Sequence, residues 1–530
     1  MTDAKRNKLI NKAAVYIDKN KFPQATRCLR AAYTENGKFN AIIMYSFSIM
    51  YEKIGNHLKS IACLLQAAEY LDKPYTVINP QFVYHIYWHL AVQYSTIGST
   101  ELSLGFYDEA VKQCNPSQRI SIMFSYIYTM VAGHVSPTQI MQGMKKINEW
   151  LPPVEALPDI DEDEIPKYFD DKIHIAYISP DFRGHVMYDF YYAIFKYYDK
   201  SRFHITCVYL NKTEDDCTKS LQEMVDDFRF CHKMSPLEIA TMLKEMRIDI
   251  AVDLAGYTTN TGLFLFRYRL APVQISGLGW MESTGLEETD YLITDKRIDP
   301  PEQSYITEKP LYLPTCFCYQ QQKELPKSKK APCMDNGYIT FASFNRVTKF
   351  TDPMLIAWRE ILNGVPDSKL LLKTIDFASD KTKFFIKNRL ENIGIDTERV
   401  ILELPSKDYM ERYLDVDIAL DTYPYCGGGT TCDALYMGVP VISMYGQRRS
   451  SKFGRSILTA AGLPELVADS PDKYVDLAIN MANDWELLDV LHKNLRAMLQ
   501  KSTLMDGRGY AAALEKQYIK MVHYIMYPKV

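Results

Sequence analysis

From residue 172 onward, short and almost wholly apolar segments alternate with longer segments of helical periodicity, and this alternation limits the possible folds more than any other feature. The apolar segments read "KIHIAYISP", "FHITCVYLN", "DIAVDLAG", "PVQISGLGW" and "DYLITD". Helical segments such as "HVMYDFYYAIFKYYD" and "SPLEIATMLKEMRI" lie between them. Strands that are apolar on both faces and separated by helices predict a parallel sheet covered by helices on both sides.

A second series of the same kind follows a polar break at 320–337. Its strands read "YITFASF", "SKLLLKTI", "VILELP" and "VDIALD", and "PMLIAWREILNGVP" and "KFFIKNRLENIGI" are helical. We therefore predict two doubly wound α/β domains in tandem, at 171–320 and 337–500, and a closing C-terminal helix at 501–530. Such sheets bind ligands beyond the carboxyl ends of their strands, so the cleft between the two domains is the expected site.

The region 1–150 carries almost no strand signal and repeats a helical pattern. Three similar segments begin at Tyr16, Tyr51 and Tyr94. Their spacing fits tetratricopeptide-type units of about 34 residues with one insertion. Gly55 and Gly98 are predicted to end helices. Small residues that allow close helix packing recur at Ala32, Ala67 and Ala110. An irregular helical bundle is the alternative.

A proline-rich and acidic stretch separates the helical N-terminal region from the region of alternating strands and helices. It reads "EWLPPVEALPDIDEDEIPKYFDD" and predicts a linker at 151–170. Its acidic residues invite comparison with a metal site, but a charge run of this kind is more typical of a solvated linker.

Composition excludes several classes of function. The chain has 530 residues, a net charge of −4 and 47% hydrophobic residues, which does not favour a general binder of nucleic acid or membrane surfaces. No apolar run approaches the roughly 18 residues that span a bilayer, and no signal peptide is readable. The eleven cysteines are scattered and odd in number. Reduced thiols in a cytoplasmic protein are the simplest interpretation.

Three consecutive glycines follow a strand of the second domain. Gly427–Gly429 stand between "VDIALD" and the helix-like "TTCDALYMG". Glycine lets backbone N–H groups approach an anion, and a helix N-terminus presents unpaired donors and positive potential. Thr430 or Thr431 is predicted to cap the helix or to donate to a phosphate. Asp433 is placed in the first turn, where it caps the dipole or accepts a ribose hydroxyl. An ordinary tight turn is the alternative.

Cationic residues follow two strand ends of the second domain. Asn345, Arg346 and Lys349 come after "FASF". A lysine at this edge would neutralise a departing diphosphate; the alternative is a solvated loop residue. The segment "QRRSSK" at 447–452 adds three cations beside a helix start. Exposed surface charge is the alternative for that segment.

One histidine lies at the strand-to-helix turn that opens the first domain. His185 follows "YISPDFRG". A titratable imidazole at this edge is a candidate base or hydrogen-bond donor to a substrate. A histidine that only caps a helix is the alternative.

In their order along the chain, these segments resemble the catalytic region of the O-GlcNAc transferase / SPINDLY family, over residues 172–525. The corresponding segments are "ISPDFRGH", "DIAVDLAGYT", "RLAPVQISGLGW", "FASFNRVTKFTDPML", "LDVDIALDTYPYCGGGTTCDALYMGVPVISM" and "AAGLPELVA". The resemblance implies tetratricopeptide-like repeats followed by two Rossmann-like domains, which together form a glycosyltransferase of the B type.

The resemblance also assigns roles by position. Lys349 looks like the family lysine that stabilises the departing diphosphate, and His185 looks like the family histidine near donor sugar and acceptor. Asp433 matches the residue that binds ribose, and Tyr409 and Arg412 match positions that contact the nucleobase. The full set implied for donor binding is Asn345, Arg346, Tyr409, Arg412, Gly428, Gly429, Thr430, Thr431 and Asp433.

The implied activity is inverting transfer of a sugar from a nucleotide donor to Ser/Thr hydroxyls of cytoplasmic proteins that the helical repeats bind. UDP-GlcNAc is the preferred donor, with UDP-glucose and GDP-fucose open. No metal is predicted, and the DxD-like "DVD" at 415–417 is interpreted as structural. The alternative is a degenerate transferase that acts as a repeat scaffold or partner subunit.

The sequence departs from the family pattern at positions that bear on sugar identity. Members often read "LGYPGT" where this chain has "LGWMEST" (278–284), and "AGHT" where it has "AGYT". Animal enzymes carry a histidine at one of the glycine positions. The residues concerned are Trp280, Met281, Glu282, Tyr257, and Gly428 or Gly429.

Overall fold

The computed structural model describes residues 1–76, 79–97, 99–133, 135–158, 172–280, 282–303, 305–378, 380–406 and 408–526. The predictions for Gly98, for Met281 and for most of the 151–170 linker fall outside these ranges. The chain divides into two compact units: Met1–Val135 with Glu149–Pro152 and Ala378–Arg389, and Ser136–Asn148 with Pro153–Phe377 and Leu390–Val530.

Helices fill the described part of the N-terminal region, as the repeat pattern predicts. They pair along the chain, α1 with α2, α3 with α4 and α5 with α6. Gly55 follows α3 with φ of 72°, a conformation that glycine adopts without strain. Ala32, Ala67 and Ala110 are buried where helices meet. The helices are α1 (Asp3–Asp18), α2 (Phe22–Ala32), α3 (Asn40–Lys53), α4 (His57–Leu71), α5 (Pro80–Thr96), α6 (Thr100–Gln113), α7 (Pro116–Ala132) and α8 (Pro137–Trp150).

The first sheet has seven described strands, all parallel, in the order β3-β2-β1-β4-β5-β6-β7. The five apolar strands predicted from the sequence are present. The edge strands β3 and β7 were not predicted, because "DFRF" is polar and "KPLY" contains a proline, which sheets tolerate at an edge. The elements are β1 (Ile173–Ser179), α9 (Tyr188–Tyr197), β2 (Phe203–Tyr209), α10 (Asp216–Met224), β3 (Asp227–Phe230), α11 (Pro236–Glu245), β4 (Ile250–Asp253), β5 (Val273–Ser276), β6 (Tyr291–Thr294) and β7 (Lys309–Tyr312).

The second sheet has six described strands, again all parallel, in the order β10-β9-β8-β11-β12-β13. The fold class predicted from the sequence is confirmed. The elements are α12 (Cys333–Asn336), β8 (Thr340–Ser343), α13 (Asp352–Gly364), β9 (Lys369–Lys373), α14 (Asp380–Ile393), β10 (Val400–Glu403), β11 (Ile418–Leu420), α15 (Gly429–Tyr436), β12 (Val441–Met444), α16 (Phe453–Ala460), β13 (Val467–Ala468), α17 (Pro471–Asn483) and α18 (Trp485–Gln500).

The last described helix, α19 (Gly507–Met526), returns to the first sheet and packs on α9. The hydroxyls of Tyr518 and Tyr177 lie 3.0 Å apart, and the Tyr510 hydroxyl donates to the Cys316 carbonyl at 3.1 Å. The chain therefore crosses between the two α/β domains twice. No helix in the described ranges is long and apolar enough to cross a lipid bilayer.

Candidate functional site

Each sheet reverses its strand order at one point, between β1 and β4 in the first sheet and between β8 and β11 in the second. Loops that leave neighbouring strands in opposite directions open a crevice at such a point, which is where doubly wound sheets bind ligands. His185 follows β1, Lys349 follows β8 and the three glycines follow β11. These residues were predicted separately from the sequence. All of them lie in segments that follow strands at the two reversal points.

The glycine segment leads directly into α15, which begins at Gly429 with Gly428 as its N-cap. No side chain caps this helix. The amides of a first helical turn have no acceptor inside the helix, so they are available to an anion. The prediction that the glycines open a helix is confirmed.

Two details of the sequence prediction for this helix are wrong. Asp433 is the fifth helical residue and lies in the second turn, not the first, because the helix begins one residue before Thr430. Neither threonine caps it. The Thr431 hydroxyl donates to the Gly427 carbonyl at 3.1 Å, and the Thr430 hydroxyl donates to Asn345 Oδ1 at 3.3 Å.

Asp421, which the sequence analysis missed, shapes the glycine loop. One carboxylate oxygen accepts the amides of Gly427 at 2.6 Å and Thr422 at 2.8 Å, and the other accepts the Ser443 hydroxyl at 2.7 Å. Burial raises its pKa, and these hydrogen bonds and the Lys349 charge oppose that shift. The aspartate at the end of "DIALD" was the available signal, since a carboxylate at a strand end often organises the loop that follows.

The Lys349 ammonium lies beside this loop. It donates to the Cys426 carbonyl at 2.9 Å and to Asn345 Oδ1 at 3.2 Å, and it stands 3.8 Å from the centre of the Tyr425 ring. Burial lowers the pKa of Lys349 to about 8, although the Asp421 carboxylate partly restores it. The amine is therefore charged at neutral pH but close to losing its proton.

His185 lies on a loop that a distant carboxylate holds. Asp215 accepts the Gly184 amide at 2.7 Å and caps α10 with its other oxygen. His185 Nδ1 accepts the Met187 amide at 3.4 Å and lies 3.7 Å from Asp181 Oδ2. Burial lowers the pKa of His185 and the Asp181 charge raises it, with a net downward shift. The shift favours the neutral imidazole.

The loop that carries His185 meets the glycine segment across the cleft. A Cβ built on Gly429 would overlap Val186 Cγ2, the side chain next to His185, whereas a Cβ on Gly428 would meet no atom within 4 Å. The absence of a side chain at Gly429 thus sets how closely the two domains approach each other at the site.

We expect Gly429→Ala to impair binding of the predicted nucleotide donor far more than Gly428→Ala, because the new methyl group would force the His185 loop and the helix start apart. Overpacking of this kind costs about 1–3 kcal/mol. Isothermal titration with a nucleotide would measure the difference between the two variants. Adding Val186→Ala to Gly429→Ala should restore part of the affinity. Equal affinities of the two glycine variants would contradict this account of the contact.

Asp433 is held by two tyrosines. Tyr319 donates to one carboxylate oxygen at 2.7 Å and Tyr409 to the other at 3.0 Å. Burial raises the pKa of Asp433 to about 6 while the two tyrosines oppose the shift. Each oxygen keeps a lone pair for a further donor. Tyr319 comes from the segment that connects the two domains, and nothing in the local sequence distinguishes it from the other 37 tyrosines.

The arginines predicted for donor binding are engaged with carboxylates. Arg412 pairs with Glu403 at 2.7 Å and with Asp415 at 2.7 Å. Arg346 is exposed and pairs with Asp376 at 2.7 Å. Both guanidinium groups are thus held by carboxylates, and the Arg346 charge also contributes to lowering the pKa of Lys349.

The three cations of the 447–452 segment are not surface charge, so that alternative is wrong. Arg448, Arg449 and Lys452 are all buried. Arg449 forms an ion pair with Asp299 of the first domain and donates to the Thr294 hydroxyl at 2.9 Å. Their burial between the two domains could not be read from a run of charged residues.

Tyr257 and Trp280, two positions where the sequence departs from the family pattern, pack against each other. Both side chains are buried, and their rings meet edge to face at 5.4 Å. Gly256 is required beneath them, since a Cβ there would overlap the Trp280 side chain. The Tyr257 hydroxyl donates to the Thr284 carbonyl at 2.5 Å. Two departures that are far apart in sequence therefore shape one loop.

Asp417 of the "DVD" segment has structural contacts. Asp417 is buried and accepts the amides of Cys333 at 2.7 Å and Thr340 at 2.8 Å. Within the described ranges, no group of three or more histidine, cysteine, aspartate or glutamate side chains is arranged to hold a metal ion.

Comparison with known proteins is consistent with this geometry. The family model for glycosyl transferase family 41 matches residues 161–335 and 321–514. The chain belongs to this family. Its fold is shared by a solved variant of an O-GlcNAc transferase from Thermobaculum terrenum, with a TM-score of 0.74, 24% identity and coverage of 98% of both chains.

Curated plant proteins are similar to about two thirds of this chain. One from Arabidopsis thaliana, named probable UDP-N-acetylglucosamine--peptide N-acetylglucosaminyltransferase SPINDLY, is 36% identical over 359 residues, covering 66% of this chain and 39% of its own length. Another from Arabidopsis thaliana, which carries the same enzyme name with the designation SEC, is 27% identical over 365 residues, covering 66% and 37%. The chain thus spans about two fifths of the length of these relatives.

Proposed function

We propose that this family 41 chain is an inverting glycosyltransferase that moves a sugar from a nucleotide donor to Ser/Thr hydroxyls of proteins. The observation that carries the proposal is the position of the Lys349 ammonium, 2.9 Å from the carbonyl of Cys426. The ammonium also shares Asn345 Oδ1 with the hydroxyl of Thr430, in the first turn of α15. Positive charge and oriented amides stabilise the negative charge that develops on a departing diphosphate.

The remaining groups fit the other parts of such a site. Asp433, with its two tyrosine donors, would accept ribose hydroxyls. Burial lowers the pKa of His185, which favours the neutral imidazole. Because Nδ1 accepts the Met187 amide, the neutral ring carries its proton on Nε2, and Nε2 is proposed to donate a hydrogen bond to the substrate.

UDP-GlcNAc is the proposed donor, because the plant relatives carry that substrate in their names. The helical repeats are proposed to bind the acceptor protein. A cytoplasmic location is supported by the eleven cysteines, which are all free thiols. The second candidate function is a scaffold with a degenerate transferase region, favoured by the altered "GWMEST" segment.

A panel of nucleotides and nucleotide sugars tests the proposal. We expect UDP and UDP-GlcNAc to raise the melting temperature, and intact-mass spectrometry of candidate acceptors to show added sugar. Stabilisation by GDP instead of UDP would overturn the donor assignment, and stabilisation by no nucleotide would overturn the catalytic proposal and favour the scaffold.

Since Lys349 and the helix start are proposed to carry the leaving-group charge, transfer should survive removal of divalent cations. We expect initial rates in excess EDTA to equal those with added Mg²⁺ or Mn²⁺. A rate that falls with EDTA and returns with one of these metals would contradict this part of the proposal.

A further inference from the structure

Glu282 is the departure from the family pattern that lies at the boundary between the two α/β domains. Its side chain is only 4% exposed. The residues after it are held firmly, since Glu308 accepts the Ser283 hydroxyl and the Thr284 amide, both at 2.6 Å. Glu282 is therefore presented from a fixed loop of the first domain.

Three hydrogen bonds connect this carboxylate to Lys349. Glu282 Oε1 accepts the Ser450 amide at 3.1 Å. The Ser450 carbonyl accepts the Cys426 amide at 3.1 Å. The Cys426 carbonyl in turn accepts from the Lys349 ammonium at 2.9 Å. The path begins in the first domain, crosses into the second, and ends at the proposed leaving-group cation.

The surroundings partly compensate for the burial of a carboxyl group at this position. Burial raises the pKa of Glu282, and the charges of Arg448 and Arg449 oppose that shift. Buried charges persist in proteins when opposite charges and hydrogen bonds offset their loss of water. A small or apolar residue at position 282 would leave the Ser450 amide without this acceptor.

We propose that Glu282 is a positioning residue for Lys349, acting through Ser450 and Cys426. It fixes the carbonyl that orients the ammonium, and it makes that orientation depend on the first domain being closed against the second. The inference rests on the proposed function, because it gives Lys349 its role in the departure of the diphosphate.

Three single variants test the proposal: Glu282→Ala, Glu282→Gln and Asn148→Ala. The amide oxygen of glutamine can still accept the Ser450 N–H, whereas alanine cannot. Asn148→Ala is the matched control, since Asn148 supports the same loop by donating to the Gly285 carbonyl at 2.5 Å and does not contact Ser450. The measurements are kcat and KM for UDP-GlcNAc from pH 6 to pH 10, with melting temperatures to correct for the folded fraction.

We expect Glu282→Ala to lower kcat by about tenfold to a hundredfold, the cost of a misplaced catalytic group. In this variant the decrease of kcat at high pH should begin at lower pH, because the Lys349 ammonium loses a fixed acceptor. Glu282→Gln should stay within a few-fold of the parent protein, and Asn148→Ala should keep the parent pH profile.

A Glu282→Ala profile that matches that of Asn148→Ala would overturn the inference. So would a loss in Glu282→Gln as large as in Glu282→Ala, because charge and not the hydrogen bond would then be responsible. Either result in an active parent protein leaves the proposed function standing. Absence of nucleotide binding and transfer in the parent protein would overturn the proposed function itself.

Discussion

Replacing Lys349 by alanine is expected to slow sugar transfer by about 10²–10³-fold, the usual cost of removing one preorganised group that stabilises transition-state charge. The diphosphate of the proposed donor would then depart without the charge of Lys349. The fold should survive, because Asp421 keeps three hydrogen bonds that do not involve the lysine. Initial rates with UDP-GlcNAc and an acceptor protein, together with circular dichroism, measure both effects.

Lys369→Ala is the matched control. Lys369 lies at the amino end of β9, whereas the proposed site lies beyond the carboxyl ends of the strands of the same sheet. Its rate should equal that of the parent protein. Unchanged transfer in Lys349→Ala would exclude the leaving-group role and favour the scaffold alternative.

The parent protein should also lose kcat/KM as the pH rises through about 8, where burial places the pKa of Lys349. The sign follows from the charge, because only the protonated amine stabilises a departing anion. A bound diphosphate raises the pKa of Lys349. The decrease of kcat should therefore occur at higher pH than the decrease of kcat/KM. A flat profile from pH 7 to pH 10 would argue against an ionising lysine.

The second large effect is expected at the buried ion pair between the domains. Arg449→Met should lower the free energy of unfolding of the α/β unit by roughly 3–5 kcal/mol, because Asp299 would keep a buried charge without its partner. Arg449 also donates to the Thr294 hydroxyl and the Ile293 carbonyl, both at 2.9 Å, and these acceptors would lose their donor. Urea unfolding followed by tryptophan fluorescence measures the change.

Two further variants separate the charge from the packing. Arg449→Met combined with Asp299→Leu should recover part of the loss, because no isolated carboxylate remains. Arg229→Met breaks the exposed pair with Asp227 in the same unit and should cost at most about 1 kcal/mol. Equal destabilisation by Arg449→Met and Arg229→Met would show that burial of the Arg449–Asp299 pair does not increase its contribution to stability.

Most of the fold was predictable because strands and helices leave local marks. The apolar runs at β1, β2, β4 and β5 predict strands buried on both faces. The edge strands β3 and β7 lack such a run, because most of their residues are partly or fully exposed. The parallel order also follows from the alternation, because parallel strands need a helix between them.

The site was predictable only in part. Residues directly after strands, such as His185 and Lys349, were found because strand ends mark the ligand edge of the sheet. The partners that hold them come from elsewhere in the chain. Asp215 fixes the His185 loop from the start of α10, and Tyr319 reaches Asp433 across more than a hundred residues. Sequence patterns are local, so such pairs leave no trace in them.

The sequence by itself determined the helical repeats, the two doubly wound sheets and the glycine segment that opens a helix, because periodicity and glycine chemistry act within a few residues. Only the tertiary structure decided what the polar residues do. It buried Arg449 against Asp299, committed Arg412 to Glu403, and linked Glu282 to Lys349 through Ser450 and Cys426. The physical reason is that the free energy of a charge depends on its partners and on its access to water, and both are set by packing between the two domains.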